Sequence, residues 1–250
     1  MRNGSEAKVD KARIRGLYRL LFGAYGPQGW WPLPFRAGSR GFDERGYHPG
    51  DYSEPRSMRG RLEIFMGAIL TQNTAWTNVE AALRNLDRSG ITSPAKLASC
   101  RIDRLARLIM PSGYYNQKAR KLKELAALLA NRAVMNGKNP PSRDALLAVW
   151  GVGEETADSI LLYAYRLPFF VVDAYTRRLL SRIGWIRGDE DYGAIQEMFH
   201  AALRSDHALF NEYHALFVVH AKKRCRSRPL CERCPIRFCA SRKEVKESGY

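Results

Sequence analysis

The chain has 250 residues, 45% of them apolar, which is typical of a globular protein with a sizeable core and excludes a disordered chain. Its formal net charge of +16 at pH 7 favours a polyanionic partner such as nucleic acid, with ribosome association or a simply solubilising surface as alternatives. No apolar run approaches the roughly 20 residues of a membrane span, and the first eight residues lack the apolar core of a signal peptide. We therefore expect no membrane partner and a cytoplasmic, nucleoid-associated protein whose five cysteines are not disulfide-bonded.

Apolar residues recur at spacings of three and four along most of the chain, which predicts helices, and alternating strand patterns are almost absent. The fold class is therefore predicted to be all-α. The predicted helices, in chain order, are 10–26, 60–71, 75–88, 94–99, 101–109, 115–134, a helix capped by Ser142, 154–165, 174–183, 192–204 and 211–223. A polar, glycine-rich segment between the first two helices begins with Trp30-Trp31 and is too long for a plain connector.

Two glycines, Gly151 and Gly153, flank Val152 between two predicted helices, a pattern typical of a tight helical hairpin. The N–H groups at the start of the second helix are then bare and carry partial positive charge, so they can bind a nucleic-acid phosphate without reading a base. Asp173 follows the apolar run 169–172. It is an N-cap of the helix at 174–183, a catalytic carboxylate, or both, since the two roles are compatible.

Four cysteines within fifteen residues form the pattern C-x5-C-x2-C-x4-C: Cys225, Cys231, Cys234 and Cys239. In a reducing cell such closely spaced thiolates favour a metal. Zinc and a [4Fe–4S] cluster both fit this spacing. The fifth cysteine, Cys100, is far away in sequence and is predicted to be a small core residue. Basic residues surround the pattern and form either a solvated face or a loop that contacts phosphates.

Four segments, in this order, resemble the helix-hairpin-helix DNA glycosylase superfamily, whose best-known member is endonuclease III. They are Thr71-Gln72-Asn73-Thr74, Gly113-Tyr114-Tyr115-Asn116-Gln117-Lys118-Ala119, the hairpin with Val172-Asp173, and the cysteine pattern. The resemblance implies a central helical barrel at 60–166 and a second lobe built from 1–59 and 167–250. It also implies a [4Fe–4S] cluster as the cofactor, with zinc less favoured, although each outer cysteine gap is one residue shorter than is usual in the family.

The resemblance also indicates the chemistry. It implies that Asp173 is the catalytic carboxylate, which stabilises an oxocarbenium-like sugar and orients water. Bifunctional members carry a lysine two residues after the second hairpin glycine, but here that position is Glu155, which cannot form an imine. Glu155 either hydrogen-bonds the base or sugar, or is a solvated helix residue. The segment from Thr71 to Trp76, with Glu155 and Ala157-Asp158, is similar to the endonuclease-III-like 3-methyladenine DNA glycosylases.

A damaged base must leave the duplex before it is excised, and it then needs flat partners. The similarity to the 3-methyladenine enzymes implies that Trp30, Trp31 and Trp76 line this pocket, with core positions or stacking on ordinary DNA as the alternative. Tyr175 is predicted at the edge of the pocket. Gln72 matches the residue that endonuclease III inserts into the gap left by the flipped base; otherwise it is a buried amide that bonds the backbone.

We therefore predict a monomeric, monofunctional DNA glycosylase of base-excision repair that removes alkylated purines, 3-methyladenine first, from double-stranded DNA. The predicted DNA contacts are Gly151, Val152, Gly153, Thr156 and Lys118. Two alternatives are a bifunctional glycosylase and abasic-site lyase that acts on oxidised pyrimidines, and a non-catalytic protein that binds damaged DNA. Glu155 in the lysine position argues against the first, and Asp173 argues against the second.

Overall fold

The fold is entirely helical within the part of the chain that the computed structural model describes, residues 9–130 and 132–242. Those residues contain no β-strand, which confirms the predicted all-α class. None of the described helices is long and apolar enough to cross a membrane. The helices, in chain order, are α1 (Lys11–Tyr25), α2 (Met58–Leu70), α3 (Trp76–Arg88), α4 (Pro94–Ser99), α5 (Ile102–Leu108), α6 (Tyr115–Leu129), α7 (Arg132–Met135), α8 (Arg143–Leu147), α9 (Glu154–Tyr165), α10 (Ala174–Ile183), α11 (Tyr192–Ala202) and α12 (His207–Lys223). Short 3-10 turns lie at Pro34–Arg36 and Met110–Ser112.

Helix boundaries follow the capping residues. The observed bounds of α9 and α10 are the predicted ones. α12 begins four residues earlier than predicted, because the Asp206 carboxylate accepts hydrogen bonds from the N–H groups of Ala208 and Leu209. The helix predicted at 115–134 ends instead at Leu129 and is followed by the short α7.

The chain divides into two compact units. The terminal unit comprises Met1–Gln28 and Phe170–Tyr250, and the central unit comprises Gly29–Phe169. The sequence analysis placed these boundaries at 59/60 and 166/167. The second boundary lies close to the predicted one, but the segment 29–59 belongs to the central unit and not to the terminal one.

The segment before α2 joins the central unit through close main-chain contacts. The N–H of Leu33 donates to the Gly46 carbonyl at 2.8 Å. Gly46 has a φ of +85°, and a Cβ there would lie 2.2 Å from the carbonyl oxygen of Leu33, so this approach requires glycine. At the start of α2, a Cβ on Gly60 would lie 2.9 Å from the Cβ of Pro55. These contacts depend on the path of the chain, which explains why the sequence pattern placed the boundary differently.

α2 is the core helix of the central unit. All its residues from Gly60 to Leu70 are buried, and it packs against α9. A helix that is buried on every side is typical of such a central position. Its buried carboxyl group, Glu63, accepts a hydrogen bond from the N–H of Phe35, and burial raises the pKa of Glu63 well above its usual value. α2 therefore supports both the loop that precedes it and the segment 71–74 that follows it.

Aromatic packing forms the core of the terminal unit. Five aromatic side chains meet there: Phe170, Phe199, Phe210, Tyr213 and Phe217. The rings of Phe170 and Phe199 stack with their centroids 3.9 Å apart. Around them α1 packs against α11 and α12, and α10 packs against α12. Because Phe170 lies in the apolar run that leads to Asp173, this core fixes where that carboxylate meets the start of α10.

Candidate functional site

The hairpin predicted at 151–153 lies between α8 and α9 in the central unit. Gly151 has a φ of +79°, so the turn favours glycine, and a Cβ there would lie 2.4 Å from Cε of Lys121 and would displace that side chain. Val152 is buried. Gly153 is the N-cap of α9, so no side-chain oxygen at this cap accepts from the N–H groups of the first turn. Those N–H groups are therefore available to an anion.

Gln72 connects the segment after α2 to the hairpin. Its Nε2 donates to the Gly151 carbonyl and to Oγ1 of Thr156, both at 3.1 Å. Its Oε1 accepts from Nζ of Lys121 at 2.6 Å. The alternative interpretation of Gln72 was a buried amide that bonds the backbone; the bond to the backbone is present, but Gln72 is only partly buried. Insertion of Gln72 into DNA stays a prediction, and it would require these three hydrogen bonds to break.

Lys118 has a different role from the predicted one. It is 2% exposed, and its Nζ donates to the carbonyl oxygens of Leu70 at 2.8 Å and Ser112 at 2.7 Å. Burial, together with the charge of Lys121, lowers the pKa of Lys118 to about 8. The structure thus contradicts Lys118 as a DNA contact, because its ammonium group points into the core and joins the end of α2 to the turn before α6. Lys121, one turn later, lies at the hairpin instead.

The three predicted tryptophans lie together in the central unit with Tyr163 of α9, and we call these four residues the tryptophan cluster. The ring centroid of Trp31 is 5.5 Å from that of Trp76, 5.1 Å from that of Tyr163 and 6.2 Å from that of Trp30. Trp31 is buried, whereas Trp30 and Trp76 are partly exposed. The sequence analysis missed Tyr163, because in a long buried stretch of α9 it is indistinguishable from a core residue.

Two hydrogen-bond donors in the tryptophan cluster are unused. The Nε1 atoms of Trp31 and Trp76 are buried and have no hydrogen-bond partner in the described part of the chain. A buried donor without a partner costs roughly 1–3 kcal/mol, and native proteins keep few of them. The cluster thus combines aromatic faces with free donors, a combination that suits a planar ligand with hydrogen-bond acceptors.

Asp173 is the N-cap of α10 in the terminal unit. Its Oδ1 accepts from the N–H of Thr176 at 2.7 Å, and its Oδ2 lies 3.6 Å from Nε2 of His214. Burial raises the pKa of Asp173, but the interactions with His214 and with Thr176 outweigh burial and hold that pKa below its usual value. The carboxylate is therefore ionised at neutral pH. The capping role is confirmed, and the catalytic role stays a prediction.

His214 is a neighbour of Asp173 that the sequence analysis did not identify. It is buried in the middle of α12 and reaches Asp173 because α10 packs against α12. Asn211 and Glu212 on the same helix are buried too, which only the structure reveals. Buried polar side chains in an otherwise apolar helix need partners, and such a group points to a site.

The last two predicted site residues lie nearer the protein surface. Glu155 is exposed in the first turn of α9. Tyr175 is partly exposed in the first turn of α10, with the guanidinium of Arg178 5.1 Å and the ammonium of Lys222 5.7 Å from its ring centroid. These two cations make the Tyr175 ring part of a basic surface of the terminal unit.

The four clustered cysteines line one cavity in the terminal unit, together with apolar side chains. The guanidinium of Arg182 donates to Sγ of Cys225 at 3.3 Å, and Nε2 of His220 lies 3.8 Å from Sγ of Cys234. Among the described residues, no three Cys, His, Asp or Glu side chains are arranged to hold a single metal ion. Cys100 is buried, as predicted for a core residue.

Comparisons with known proteins agree with one another. Residues 66–204 match the family described as HhH-GPD superfamily base excision DNA repair protein. A protein of Methanocaldococcus jannaschii, whose name as a DNA repair glycosylase is provisional, is 40% identical over 237 residues, which cover 92% of this chain and 96% of that protein. Endonuclease III of Sulfolobus acidocaldarius is 32% identical over 186 residues, which cover 72% of this chain and 82% of that protein. The crystal structure of the H. pylori 3-methyladenine DNA glycosylase bound to 1,N6-ethenoadenine matches with a TM-score of 0.64 and 26% identity, over 86% of this chain and 98% of that one.

Substitution of Lys118 should affect stability more than substitution of Lys121 on the same helix. Lys118→Met leaves two buried carbonyl oxygens without a donor, and we expect it to lower the free energy of unfolding by about 2–4 kcal/mol. Lys121→Met removes the same charge from a partly exposed position and should cost about 1 kcal/mol or less. Urea unfolding of both variants measures the difference. Equal losses would show that the two carbonyl bonds are not what stabilises this region.

Proposed function

The chain belongs to the HhH-GPD superfamily of base excision DNA repair proteins and is a DNA glycosylase with the fold of that family, and we propose that it excises alkylated purines, 3-methyladenine first, from double-stranded DNA. The proposed reaction is hydrolysis of the N-glycosidic bond by a monomer, without a lyase step. The tryptophan cluster is the observation that carries this proposal.

The tryptophan cluster suits a cationic base better than a neutral one. N3- and N7-alkylated purines carry a formal positive charge, and a cation over an indole face gains up to about 2 kcal/mol once it is desolvated. The partly exposed rings of Trp30 and Trp76 offer the stacking surface for a flipped base. The Nε1 of Trp31 lies against Gly67 of α2, so Trp31 supports the other two rings from the core side. The charge also makes the base a good leaving group, so little general-acid help is needed.

The lysines near the hairpin support hydrolysis without a lyase step. Schiff-base formation needs an amine that can reach the sugar. The position that bifunctional members fill with lysine is Glu155, which is exposed in the first turn of α9. Lys118 is held in the core by two carbonyl oxygens, and Lys121 is bonded to Gln72. We therefore propose an abasic site as the product.

In this proposal Asp173 provides the negative charge that the reaction needs. Cleavage of the N-glycosidic bond develops positive charge on the sugar, and an ionised carboxylate stabilises that charge and orients the attacking water. The Thr176 N–H and His214 support the ionised form of Asp173, and they also fix the direction of its two oxygens. Glu155 has the lesser proposed role of a hydrogen-bonding partner to the substrate, and Tyr175 that of an edge of the base pocket.

We propose that the hairpin anchors one DNA strand. The main-chain N–H groups of Gly151, Gly153 and Thr156 lie at or beside the positive end of α9, where a phosphate is favoured. The N–H of Val152 donates to the Val149 carbonyl at 3.0 Å, so the proposed role of Val152 is to shape the turn. Trp150, just before the hairpin, is exposed, and the guanidinium of Arg120 lies 4.5 Å from its ring centroid. An aromatic face and a positioned cation therefore flank the proposed anchor.

The four cysteines are proposed to hold a [4Fe–4S] cluster. A zinc ion needs all its sulfur ligands within about 2.3 Å of one point, whereas the thiolates of a four-iron cluster stand around a larger centre. All four thiols line one cavity of the terminal unit, as ligands of one centre would, and the family resemblance favours the cluster over zinc. Arg182 at Cys225 and His220 beside Cys234 suit thiolate ligands, which are stabilised by nearby donors. When bound, the cluster would order the basic loop that carries the cysteines.

The direct test of the proposal is to identify the bases that the enzyme releases. Purified protein is incubated with duplex DNA treated with a methylating agent, or with an oxidant, and free bases are measured by mass spectrometry. We expect 3-methyladenine from methylated DNA and no covalent adduct when borohydride is added. Oxidised pyrimidines together with a trapped adduct would replace the proposal with the bifunctional alternative. Binding without any release in a single turnover would replace it with the non-catalytic one.

Asp173→Asn should leave the fold and DNA affinity intact but slow excision by about a hundredfold or more, because the amide lacks the charge that stabilises the sugar. The matched control is Asp206→Asn, since Asp206 also caps a helix through its carboxylate. Single-turnover rates on methylated duplex measure both. A similar loss in the two variants would mean that capping, and not catalysis, explains the effect at Asp173.

Trp76→Ala should cut release of 3-methyladenine roughly ten- to a hundredfold and change binding to an abasic-site duplex little, because an abasic site presents no base to stack. Trp30→Ala and Trp31→Ala are tested beside it, and Trp76→Phe should keep much of the activity. Trp185→Ala, in the terminal unit, is the control for loss of an indole elsewhere. Wild-type excision by all three cluster variants would remove the tryptophans from the base pocket.

Protein purified without oxygen should be brown, with four irons and a broad absorbance near 400 nm that is typical of a [4Fe–4S] centre, on the order of one cluster per chain. Cys234→Ala should lose the absorbance and the iron, and it should destabilise the terminal unit. Cys100→Ala, which removes a thiol outside the cavity, should keep both. A colourless wild-type sample with stoichiometric zinc would assign the cysteines to the other metal.

A further inference from the structure

His48 is a buried histidine whose two ring nitrogens both face main-chain carbonyl oxygens. It lies in the long loop before α2 and is 2% exposed. Its Nδ1 is 2.8 Å from the carbonyl oxygen of Asp51, and its Nε2 is 2.9 Å from the carbonyl oxygen of Trp31. The main-chain N–H of His48 also donates to the Gly29 carbonyl at 3.2 Å. One residue thus contacts the loop at three points.

The two ring contacts restrict the protonation state of His48. A carbonyl oxygen only accepts hydrogen bonds, and a neutral imidazole has a single N–H. Both contacts are hydrogen bonds only when the ring carries two protons and a positive charge. In either neutral tautomer, one nitrogen lone pair would face a carbonyl oxygen at less than 3 Å, which is repulsive.

The surroundings of His48 are compatible with an imidazolium ion. The Asp51 carboxylate is the anionic group that acts on it, and this carboxylate is itself bonded to Ser53 and Arg56. On the other side, the Phe42 ring meets the imidazole edge to face at 5.2 Å, and the Arg36 guanidinium lies 4.4 Å from the Phe42 ring centroid. His48 therefore has an anionic neighbour in Asp51 and an aromatic neighbour in Phe42.

We infer that His48, as an imidazolium ion, is a positioning residue that clamps the main chain of Trp31 and so sets the geometry of the tryptophan cluster. Trp31 is the ring of the cluster that contacts Trp30, Trp76 and Tyr163 alike, so a shift of its main chain moves the whole cluster. The functional meaning of the clamp rests on the proposed role of the cluster in binding a flipped base.

Close main-chain packing connects the position of His48 to that of the tryptophans. Gly29 has a φ of +70°, and a Cβ there would lie 2.4 Å from the main-chain nitrogen of Pro49. The main chain at 29–31 therefore lies directly against the segment that carries His48. Loss of one ring proton removes the donor to Trp31 or to Asp51, and the buried carbonyl that loses it has to find another partner.

Tryptophan emission tests the clamp without any DNA. The wild-type protein, His48→Gln, His48→Phe and the control His207→Gln are compared at one fixed pH. We expect both His48 variants to shift the tryptophan emission relative to wild type, and His207→Gln to leave it unchanged. Wild-type emission in a folded His48 variant would overturn the proposal.

A measurement on the wild-type protein covers the case in which the His48 variants do not fold. Long-range nitrogen–proton correlation spectra of 15N-histidine protein report how many protons each ring carries. We expect two N–H groups on His48. A single neutral tautomer would refute the clamp.

The rate of base release then tests whether the contacts of His48 affect the tryptophan cluster. If His48→Gln folds, it should lower the rate of 3-methyladenine release about tenfold while binding to an abasic-site duplex changes little, because only the stacking of a base depends on Trp31. The two proposals fail separately. Absence of alkylpurine release leaves the emission and nitrogen spectra unaffected, whereas unchanged spectra with active enzyme reject the clamp alone.

Discussion

The electrostatics of the candidate site in the terminal unit depend on keeping one buried carboxylate, Asp173, ionised. An isolated carboxylate in a buried position is costly unless hydrogen bonds or an opposite charge compensate it. Three interactions compensate the charge of Asp173: a hydrogen bond from the main-chain N–H of Thr176, the positive end of α10, and the contact with His214. The first two come from α10 itself, but the third exists only while α12 packs against α10. The aromatic core around Phe170 therefore contributes to the electrostatics of the site as well as to the fold.

Among the described residues of the central unit, some buried polar atoms have no hydrogen-bond partner. Trp31 and Trp76 keep buried indole donors unused, and Gly153 gives α9 no side-chain cap. Such features lower stability and persist where a ligand later uses them. Gln72 and Lys121 partly compensate by bonding to each other at the hairpin in the absence of DNA.

Local signals made much of the fold predictable from the sequence. Glycine and aspartate caps set the bounds of α9 and α10, and no long-range information was needed. The error at Lys118 was avoidable, because Lys118 shares a helix face with Leu122 and Leu125, and that face is buried. His214 and Tyr163 were a different case. They reach the candidate site only through helix packing, and neither a motif nor a spacing in the sequence marks them.

Lys118 and His48 show how this chain fixes main-chain segments while leaving surface side chains free for DNA. Each is buried, and each contacts two main-chain carbonyl oxygens: those of Leu70 and Ser112 for Lys118, and those of Trp31 and Asp51 for His48. Carbonyls at helix ends and in loops lack partners within their own element, so a charged donor stabilises them strongly. Lys118 thereby connects the starts of the segments 71–74 and 113–116, both of which carry family motifs. His48 connects Trp31 and Asp51, two parts of the loop before α2. Because any residue type supplies a carbonyl, no sequence motif reveals such a link. The positions of the site's side chains therefore depend on two cations that do not themselves face the substrate.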